Sequence, residues 1–195
     1  VDAKGFNKLY KLLTDQASAG ACLHKGLLKR QLEDEPRAFM SERTKTTQLL
    51  VLDVDGLRTN NPGDLQALAD KIILQLPEYF HNVSYIVQAS ASLGFKKDTV
   101  SMHLFFLLDM PVHPKTLKDF IRMVNYQSEF LAEQITLSAN GQSLSYVLDP
   151  SVADNSKLIY IAPPVLKDVD DPYPEGRFVK VDRGSPTLEI SSSLI

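Results

Sequence analysis

The longest apolar runs of the chain predict buried strands separated by polar turns. The clearest run covers residues 49–52 and leads directly into Asp53, Val54 and Asp55. Because this run does not alternate between apolar and polar residues, it predicts a strand that is buried on both faces. The two-residue period of a strand then places Asp53 and Asp55 on the same face, at the end of this strand. A strand that ends in a polar turn at Gly56 is the simpler alternative.

The remaining hydrophobic pattern predicts both helices and strands. Residues 83–87 and 100–108 predict a hairpin, joined by a small, polar segment that favours a tight turn. A second buried strand is predicted at residues 144–148, and further short strands are predicted at residues 157–162, 177–181 and 188–190. Apolar residues at helical spacing predict three helices, at about residues 6–13, 64–76 and 114–131. Interleaved in this way, the elements predict an α+β domain with a mixed, largely antiparallel sheet flanked by helices.

The composition is that of a globular domain. Of 195 residues, 44% are hydrophobic and 23% are charged, which is enough for one sizeable core. The net charge of −3 means that a nucleic-acid partner would need a local basic patch. The single cysteine, Cys22, excludes a disulfide framework within the chain and is predicted to be a small buried residue.

No membrane or export signal is recognisable in the sequence. No apolar run approaches the ~20 residues of a membrane span, and no signal-peptide pattern opens the chain. We therefore expect a cytoplasmic protein with no membrane partner. The start at Val1 instead of Met and the abrupt end at Ile195 favour a domain excised from a longer chain.

Basic side chains are concentrated ahead of the strand that carries the two aspartates. The candidates for contact with a nucleic-acid backbone are Lys25, Lys29, Arg30, Arg43 and Lys45. The alternative for the cluster around Lys25 is a helix face that is simply solvated.

The pair Asp53 and Asp55 is the first candidate for chemistry. Two like charges held this close repel each other, and each favours a cation nearby. Hard oxygen ligands suit Mg²⁺ or Mn²⁺ better than Zn²⁺, which prefers nitrogen and sulfur.

Three short motifs then recur in order along the chain. They are Asp53-Val54-Asp55, Ser101-Met102-His103 and Leu148-Asp149, each predicted at or near a strand. Taken singly, His103 is explained as a core histidine and Asp149 as a turn residue before Pro150. The ordered set resembles the archaeo-eukaryotic primase family, whose members carry DxD or DxE, then SxH, then a lone acid after a hydrophobic residue. The match spans roughly residues 49–162.

This resemblance implies a chemistry for the motif residues. Asp53, Asp55 and Asp149 would be the catalytic acids and would hold Mg²⁺ or Mn²⁺ ions about 4 Å apart. Ser101 and His103 would bind the incoming nucleotide, and Lys157 would lie near its phosphates. The implied activity is a DNA primase/polymerase, which joins nucleoside triphosphates (NTPs or dNTPs) on a single-stranded DNA template in replication priming.

The resemblance also implies an architecture. Residues 1–195 would form one catalytic domain, with a helical, basic part at about 1–45 and a catalytic core at about 46–165. An active-site cleft would lie between the first part and a sheet resembling an RNA-recognition fold, and the three acids would meet on that sheet. A helicase domain is expected elsewhere in the full-length chain. Relatives of this compact kind occur in phages, plasmids and other mobile elements, so a bacterial or phage-infected cell is expected.

One departure from the family lies just before the second motif. Residues 96–98, Lys-Lys-Asp, form a predicted exposed tip where a shorter glycine-rich turn is expected. Because of this departure, the resemblance does not specify which groups near the second motif would contact the phosphates of the nucleotide.

Two alternatives remain open at this point. Residues 50–56 resemble the first motif of haloacid-dehalogenase-type phosphohydrolases, with Asp53 as nucleophile and Asp55 as acid/base. Against that alternative, Leu57 stands where that family has Thr or Val, about forty residues precede the motif, and the pair Asp170-Asp171 lacks a preceding hydrophobic strand.

The other alternative is a non-catalytic nucleic-acid-binding module. Its hairpin would present Phe105 or Tyr85 for stacking on bases. The carboxylates would then be incidental, although acids repel phosphate unless a metal ion intervenes.

Overall fold

The computed structural model describes residues 3–96 and 98–190, so Lys97 of the predicted tip lies outside the described residues. Its elements are α1 (Ala3–Ser18), β1 (Cys22–His24), α2 (Arg37–Met40), β2 (Thr47–Arg58), α3 (Leu65–Ile73), β3 (Tyr85–Ala89), β4 (Thr99–Val112), α4 (Pro114–Gln127), α5 (Glu129–Ala132), β5 (Thr136–Leu137), β6 (Leu144–Ser145), β7 (Leu158–Tyr160) and β8 (Phe178–Val181). Short 3₁₀ turns occur at Glu78–Phe80 and Pro150–Ala153.

The main sheet has four strands in the order β2-β4-β3-β8, and every neighbouring pair is antiparallel. Two smaller antiparallel sheets pair β1 with β7 and β5 with β6. Within the described residues, parallel pairing occurs only at the isolated bridges Val83–Ser185 and Leu108–Leu188. The prediction of an α+β domain with a largely antiparallel sheet is confirmed.

Helices α3, α4 and α5 begin where the sequence supplies a capping side chain. Asp64 accepts a hydrogen bond from the Ala67 backbone N–H at 2.6 Å and so caps α3. Pro114 occupies the first turn of α4, where its missing N–H costs nothing. The predicted long helix is interrupted at Ser128, whose side chain caps the separate helix α5.

The two faces of the main sheet have different covers. On one face Phe106 packs edge-on against Phe80, with ring centroids 5.3 Å apart, and Phe80 packs against Phe120 of α4. The other face carries Asp53 and His103, which lie opposite each other in the β2–β4 register. The β1–β7 sheet lies beside this second face, where Tyr160 of β7 accepts a hydrogen bond from Gln88 of β3. Helix α1 lies there too, since Asn7 accepts a hydrogen bond from Lys180 of β8 at 2.7 Å.

Several predicted strand positions are wrong. Asp53 and Asp55 do not end their strand, because β2 continues to Arg58 through a bulge at which Gly56 takes a φ of +65°. The predicted buried strand at 144–148 is only partly buried, since Leu144 is 46% exposed in the short β5–β6 hairpin. Residues 188–190 contribute a single bridge to β4 and no strand.

The segment around the single cysteine also differs from the prediction. Cys22 is exposed, because it lies on the small β1–β7 sheet outside the main core. The basic segment after Cys22 begins in strand β1 and continues as bends, without a helix. The alternative of a solvated helix face is therefore wrong. Among the described residues, none of the helices has both the length and the apolar character needed to cross a bilayer.

Asn125 joins α4 to the segment that carries the third motif. Its side chain is fully buried; the amide nitrogen donates to the carbonyls of Ile121 and Leu148 at 2.9 and 3.0 Å, and the amide oxygen accepts from the Leu148 N–H at 3.0 Å. Both backbone groups of Leu148 therefore depend on a single side chain. Buried polar groups left without a partner cost about 1–3 kcal/mol each.

We expect Asn125→Ala to lower the free energy of unfolding by about 2–4 kcal/mol, because it leaves the Leu148 amide and carbonyl unpaired. Urea denaturation would measure the change. The matched control is Gln127→Ala, which removes an exposed hydrogen bond to the Tyr79 hydroxyl and should change stability by less than about 0.5 kcal/mol. Equal effects of the two substitutions would contradict the role given to Asn125.

Candidate active site

Strand register brings the three predicted acids onto one face of the sheet. Leu148 forms an antiparallel bridge with Val54, and the Asp149 N–H donates to the Asp53 carbonyl at 3.0 Å. Asp149 therefore lies opposite Asp53, and residues opposite each other in a ladder share a face. Asp55 is two residues from Asp53 and lies on that face as well. Val54 and Leu148 point the other way and are fully buried.

His103 lies on the other side of Asp53, across the β2–β4 ladder. Its Nε2 is 3.3 Å from Asp53 Oδ1, and its Nδ1 contacts the Gln88 amide oxygen. The Gln88 amide nitrogen donates to the carbonyls of Ala89 and Tyr160, at 3.0 and 3.4 Å, which turns the amide oxygen toward the ring. Nδ1 therefore carries a proton, and Nε2 is the nitrogen that faces Asp53.

Both ring nitrogens of His103 therefore have a partner, as buried polar groups generally do. The residue is 8% exposed, and its Nε2 lies on the face that carries the acids. The Gln88 contact fixes the ring plane, in the way that partners behind a metal- or substrate-binding histidine do. Nothing in the sequence identified Gln88, because its position opposite His103 depends on the β3–β4 register.

Ser101 bridges the acid pair to the strand bulge. Its hydroxyl donates to Asp55 Oδ1 at 3.2 Å and accepts from the Gly56 N–H at 3.1 Å. The left-handed φ of Gly56 belongs to the bulge that interrupts the β2–β4 ladder here. The Asp55 side chain is thereby oriented at an exposed position of the sheet.

Asp149 is held as an anion by its neighbours. Burial raises the pKa of this carboxyl group, but hydrogen bonds from the Ser151 hydroxyl and N–H and the nearby Lys157 ammonium outweigh burial and lower it overall. The Lys157 Nζ is 3.4 Å from Asp149 Oδ2 and 2.6 Å from the Ser151 hydroxyl. Asp149 also caps the 3₁₀ turn that Pro150 begins, so it is a turn residue as well as a member of the acidic face.

A groove of about 630 Å³ opens beside these acids. Asp55 and Asp149 line it together with Lys118 and Arg122 of α4 and the exposed side of the β5–β6 hairpin. Lys118 is paired with Asp154 at 3.4 Å, and Arg122 has its own partner on the same helix. The sequence shows these two cations four residues apart on α4, but their position facing the acids depends on the fold.

The donor set of this face fits a hard divalent cation. Asp53 and Asp55 each use one carboxylate oxygen, toward His103 and Ser101, and their other oxygens have no partner among the described residues. Carboxylate oxygens are the ligands that Mg²⁺ and Mn²⁺ prefer. Within the described ranges, no three His, Cys, Asp or Glu side chains are already gathered closely enough to share an ion.

The basic residues predicted to contact nucleic acid fall into two groups. Four of them are exposed on the segment between β1 and β2: Lys29, Arg30, Arg43 and Lys45. Lys25 is instead buried, 6% exposed, because its backbone pairs with Lys157 and continues the β1–β7 ladder inward. It does not present its ammonium at the surface, where template phosphates would bind.

The stacking residues proposed for a non-catalytic binding module are wrong. Tyr85 and Phe105 are both buried in the core, at 1% and 0% exposure, so neither ring faces solvent. Both lie in the β3–β4 hairpin, whose two faces are covered by the rest of the domain.

Lys25 has no hydrogen-bond partner for its ammonium among the described residues, and burial lowers the pKa of Lys25 from 10.5 to about 8. Below pH 8 the folded protein carries the full penalty of a buried charge. Between about pH 8 and 10.5 the unfolded chain binds the extra proton, so stability rises with pH across this window.

We expect Lys25→Met to stabilise the fold at pH 7 by about 3 kcal/mol and to remove this rise between pH 8 and 10.5. Urea denaturation at a series of pH values measures both effects. Lys29→Met, at an exposed position, is the control and should leave the pH profile unchanged. A Lys25→Met protein that is less stable than the parent at pH 7 would show that this ammonium has a stabilising partner.

Comparisons with known proteins identified no relative of this chain. Searches against models of known protein families, curated protein sequences and solved structures found no match. The feature of the chain that bears on function is the acidic face itself, with three carboxylates in register, an oriented histidine and a lysine beside the third acid.

Proposed function

We propose that the chain is a primase-polymerase, a nucleotidyltransferase that joins nucleoside triphosphates on a single-stranded DNA template. The observation that carries the proposal is the shared face of Asp53, Asp55 and Asp149. Asp149 is far from Asp53 and Asp55 in the sequence, yet backbone pairing brings it opposite Asp53, and the three acids match an ordered family pattern. A chance pattern of short motifs gives no reason for such a meeting.

The proposed cofactors are Mg²⁺ or Mn²⁺, held by Asp53 and Asp55 through their free carboxylate oxygens, with Asp149 opposite Asp53. When bound, a pair of such ions supplies activation of the attacking 3′ oxygen and charge stabilisation of the leaving pyrophosphate. The like charges of Asp53 and Asp55, two residues apart on one face of β2, repel each other, and a bound cation offsets that repulsion.

The triphosphate would be bound by the groups around the acids. His103 directs Nε2 toward the acidic face with its ring plane fixed by Gln88, and a protonated ring donates a charge-assisted hydrogen bond to phosphate. Lys157 lies at the opposite side, where it neutralises Asp149 and is within reach of a phosphate placed beside that acid. Lys118 and Arg122 add N–H donors to the groove wall, and each already has a carboxylate partner, Asp154 or Asp119.

The topology of the main sheet is compatible with the proposed fold family. The strand β4 lies between β2 and β3, which α3 connects, so these elements form a split β-α-β unit like that of ferredoxin-like and related sheets. The helix α1 and the β1–β7 sheet stand beside the face that bears the acids. This arrangement supports a cleft between the first part of the chain and the main sheet.

We expect Asp53→Asn and Asp55→Asn each to reduce nucleotide incorporation about a thousandfold or more, because several kcal/mol of transition-state charge stabilisation is lost. The assay follows labelled nucleotides on single-stranded DNA with Mg²⁺ or Mn²⁺. Thermal unfolding should stay at or above the parent temperature, since one of two repelling charges is removed. Asp170→Asn, at an exposed loop acid, is the matched control and should retain activity.

Three outcomes would count against this assignment. Product from a chain that lacks both Asp53 and Asp55 would remove the acids from the mechanism. Phosphate release from a small phosphomonoester, lost with Asp53, would identify a phosphohydrolase instead. Inactivity in both assays would favour a non-catalytic binding module.

We expect His103→Ala to raise the KM for the nucleotide about 10- to 100-fold with a smaller change in kcat, because a hydrogen bond to phosphate is lost in ground and transition states alike. Steady-state kinetics at varied nucleotide concentration separates the two constants. His113→Asn keeps the cap of α4 and serves as the histidine control. An unchanged KM in His103→Ala would place the nucleotide elsewhere.

A further inference from the structure

An exposed aromatic ring lies among cations on the segment between β1 and β2. Phe39 of α2 is 67% exposed, and α2 has no buried residues of its own. A cavity of about 390 Å³ beside it is lined by Lys29, Phe39 and Arg43, with Ala38, Glu42 and Thr44 among the remaining residues. We call Phe39, Lys29 and Arg43 the Phe39 patch.

The two cations of the Phe39 patch are available to an anionic ligand. Lys29 Nζ is 3.5 Å from the Phe39 carbonyl, and Arg43 Nε donates to the Ala38 carbonyl at 3.2 Å. Neither has a carboxylate partner among the described residues, in contrast to Arg30, which pairs with Glu35 at 2.9 Å. Both side chains therefore keep donors free, and Glu42 is the acid that shares the cavity.

The patch is fixed to the part of the chain that carries Lys157. The Lys29 N–H donates to the Met40 carbonyl at 2.8 Å, which ties the two ends of the segment together. The buried Asn155 side chain donates to the carbonyls of Glu42 and Lys45, both at 2.8 Å. The Phe39 patch is thus held by a residue two positions before Lys157, and its ring and cations have a defined position relative to the acidic face.

We propose that the Phe39 patch binds single-stranded DNA, with a base stacked on Phe39 and neighbouring phosphates paired with Lys29 and Arg43. An exposed ring beside cations is the combination that sequence-independent single-strand binding uses, because every base has a π face and every linkage carries a charge. A double helix keeps its bases stacked inside and offers none to the ring. The inference rests on the proposed function, for which the patch is the template-binding surface.

The first test is equilibrium binding of a fluorescein-labelled oligodeoxythymidylate, followed by fluorescence anisotropy without nucleotide or metal ion. We expect Phe39→Ala to weaken binding about 5- to 100-fold, and Phe39→Tyr, which keeps the ring, to bind like the parent. Because Phe39 is exposed, neither substitution should alter thermal unfolding. Phe95→Ala is the control, since it removes an exposed ring outside the patch and should leave affinity unchanged.

The second test is the salt dependence of the same binding. Removing one phosphate contact by Arg43→Gln should reduce the slope of log affinity against log salt by about 0.7. No measurable binding by the parent chain, or equal binding by the parent and Phe39→Ala, would overturn the proposal. A concentration-dependent dimer that Phe39→Ala abolishes, with affinity for the oligonucleotide unchanged, would assign the patch to a second copy of the chain.

These tests separate the patch from the catalytic proposal. Binding that depends on Phe39 in a chain that incorporates no nucleotide would support the patch and reject the polymerase. Nucleotide incorporation that survives Phe39→Ala, with an unchanged requirement for template, would support the polymerase and reject the patch as its template-binding surface.

Discussion

The position of the acidic face depends on one buried side chain, Asn125. Its amide satisfies both backbone groups of Leu148, and this leaves the neighbouring peptide groups free to pair with β2. The resulting bridge holds Asp149 opposite Asp53, although nearly a hundred residues of sequence separate them. The packing that anchors α4 to the core, through Phe120 and Phe80, therefore also fixes the geometry of the acids.

The negative charges on this face are compensated to different extents, Asp149 more fully than Asp53 and Asp55. Asp149 is compensated by Lys157 and two hydrogen bonds from Ser151, and its pKa is lowered accordingly. Asp53 and Asp55 are only partly compensated, by one histidine and one hydroxyl. Negative potential is therefore concentrated at the β2 acids, so a cation is attracted to this side, whereas the Asp149–Lys157 pair is close to neutral.

The local parts of this arrangement were readable from the sequence, and the non-local parts were not. The apolar run before Asp53 predicted a buried strand because branched residues on both faces leave little alternative. The same reasoning wrongly predicted burial for Leu144. This residue is exposed in a hairpin whose strands are only two residues long, and no local signal distinguishes it from the buried Leu148. Gln88, Lys118 and Arg122 gain their meaning only from strand register and helix packing, which a single sequence does not specify.

Lys25 and Phe39 are two further residues whose exposure the sequence does not predict. Both lie in a basic, loop-rich segment, yet the lysine is buried and the aromatic ring is exposed. The reason is that hydrogen bonds anchor the segment to the chain after Asp149, from the Lys25 N–H to the Lys157 carbonyl and from the Asn155 side chain to the Glu42 and Lys45 carbonyls, which draws Lys25 inward and leaves α2 outside. Because one set of bonds holds both the Phe39 patch and the lysine beside Asp149, a strand bound at Phe39 would have a fixed offset from the acids. A template-directed enzyme requires such an offset, whereas a hydrolase of small phosphomonoesters does not.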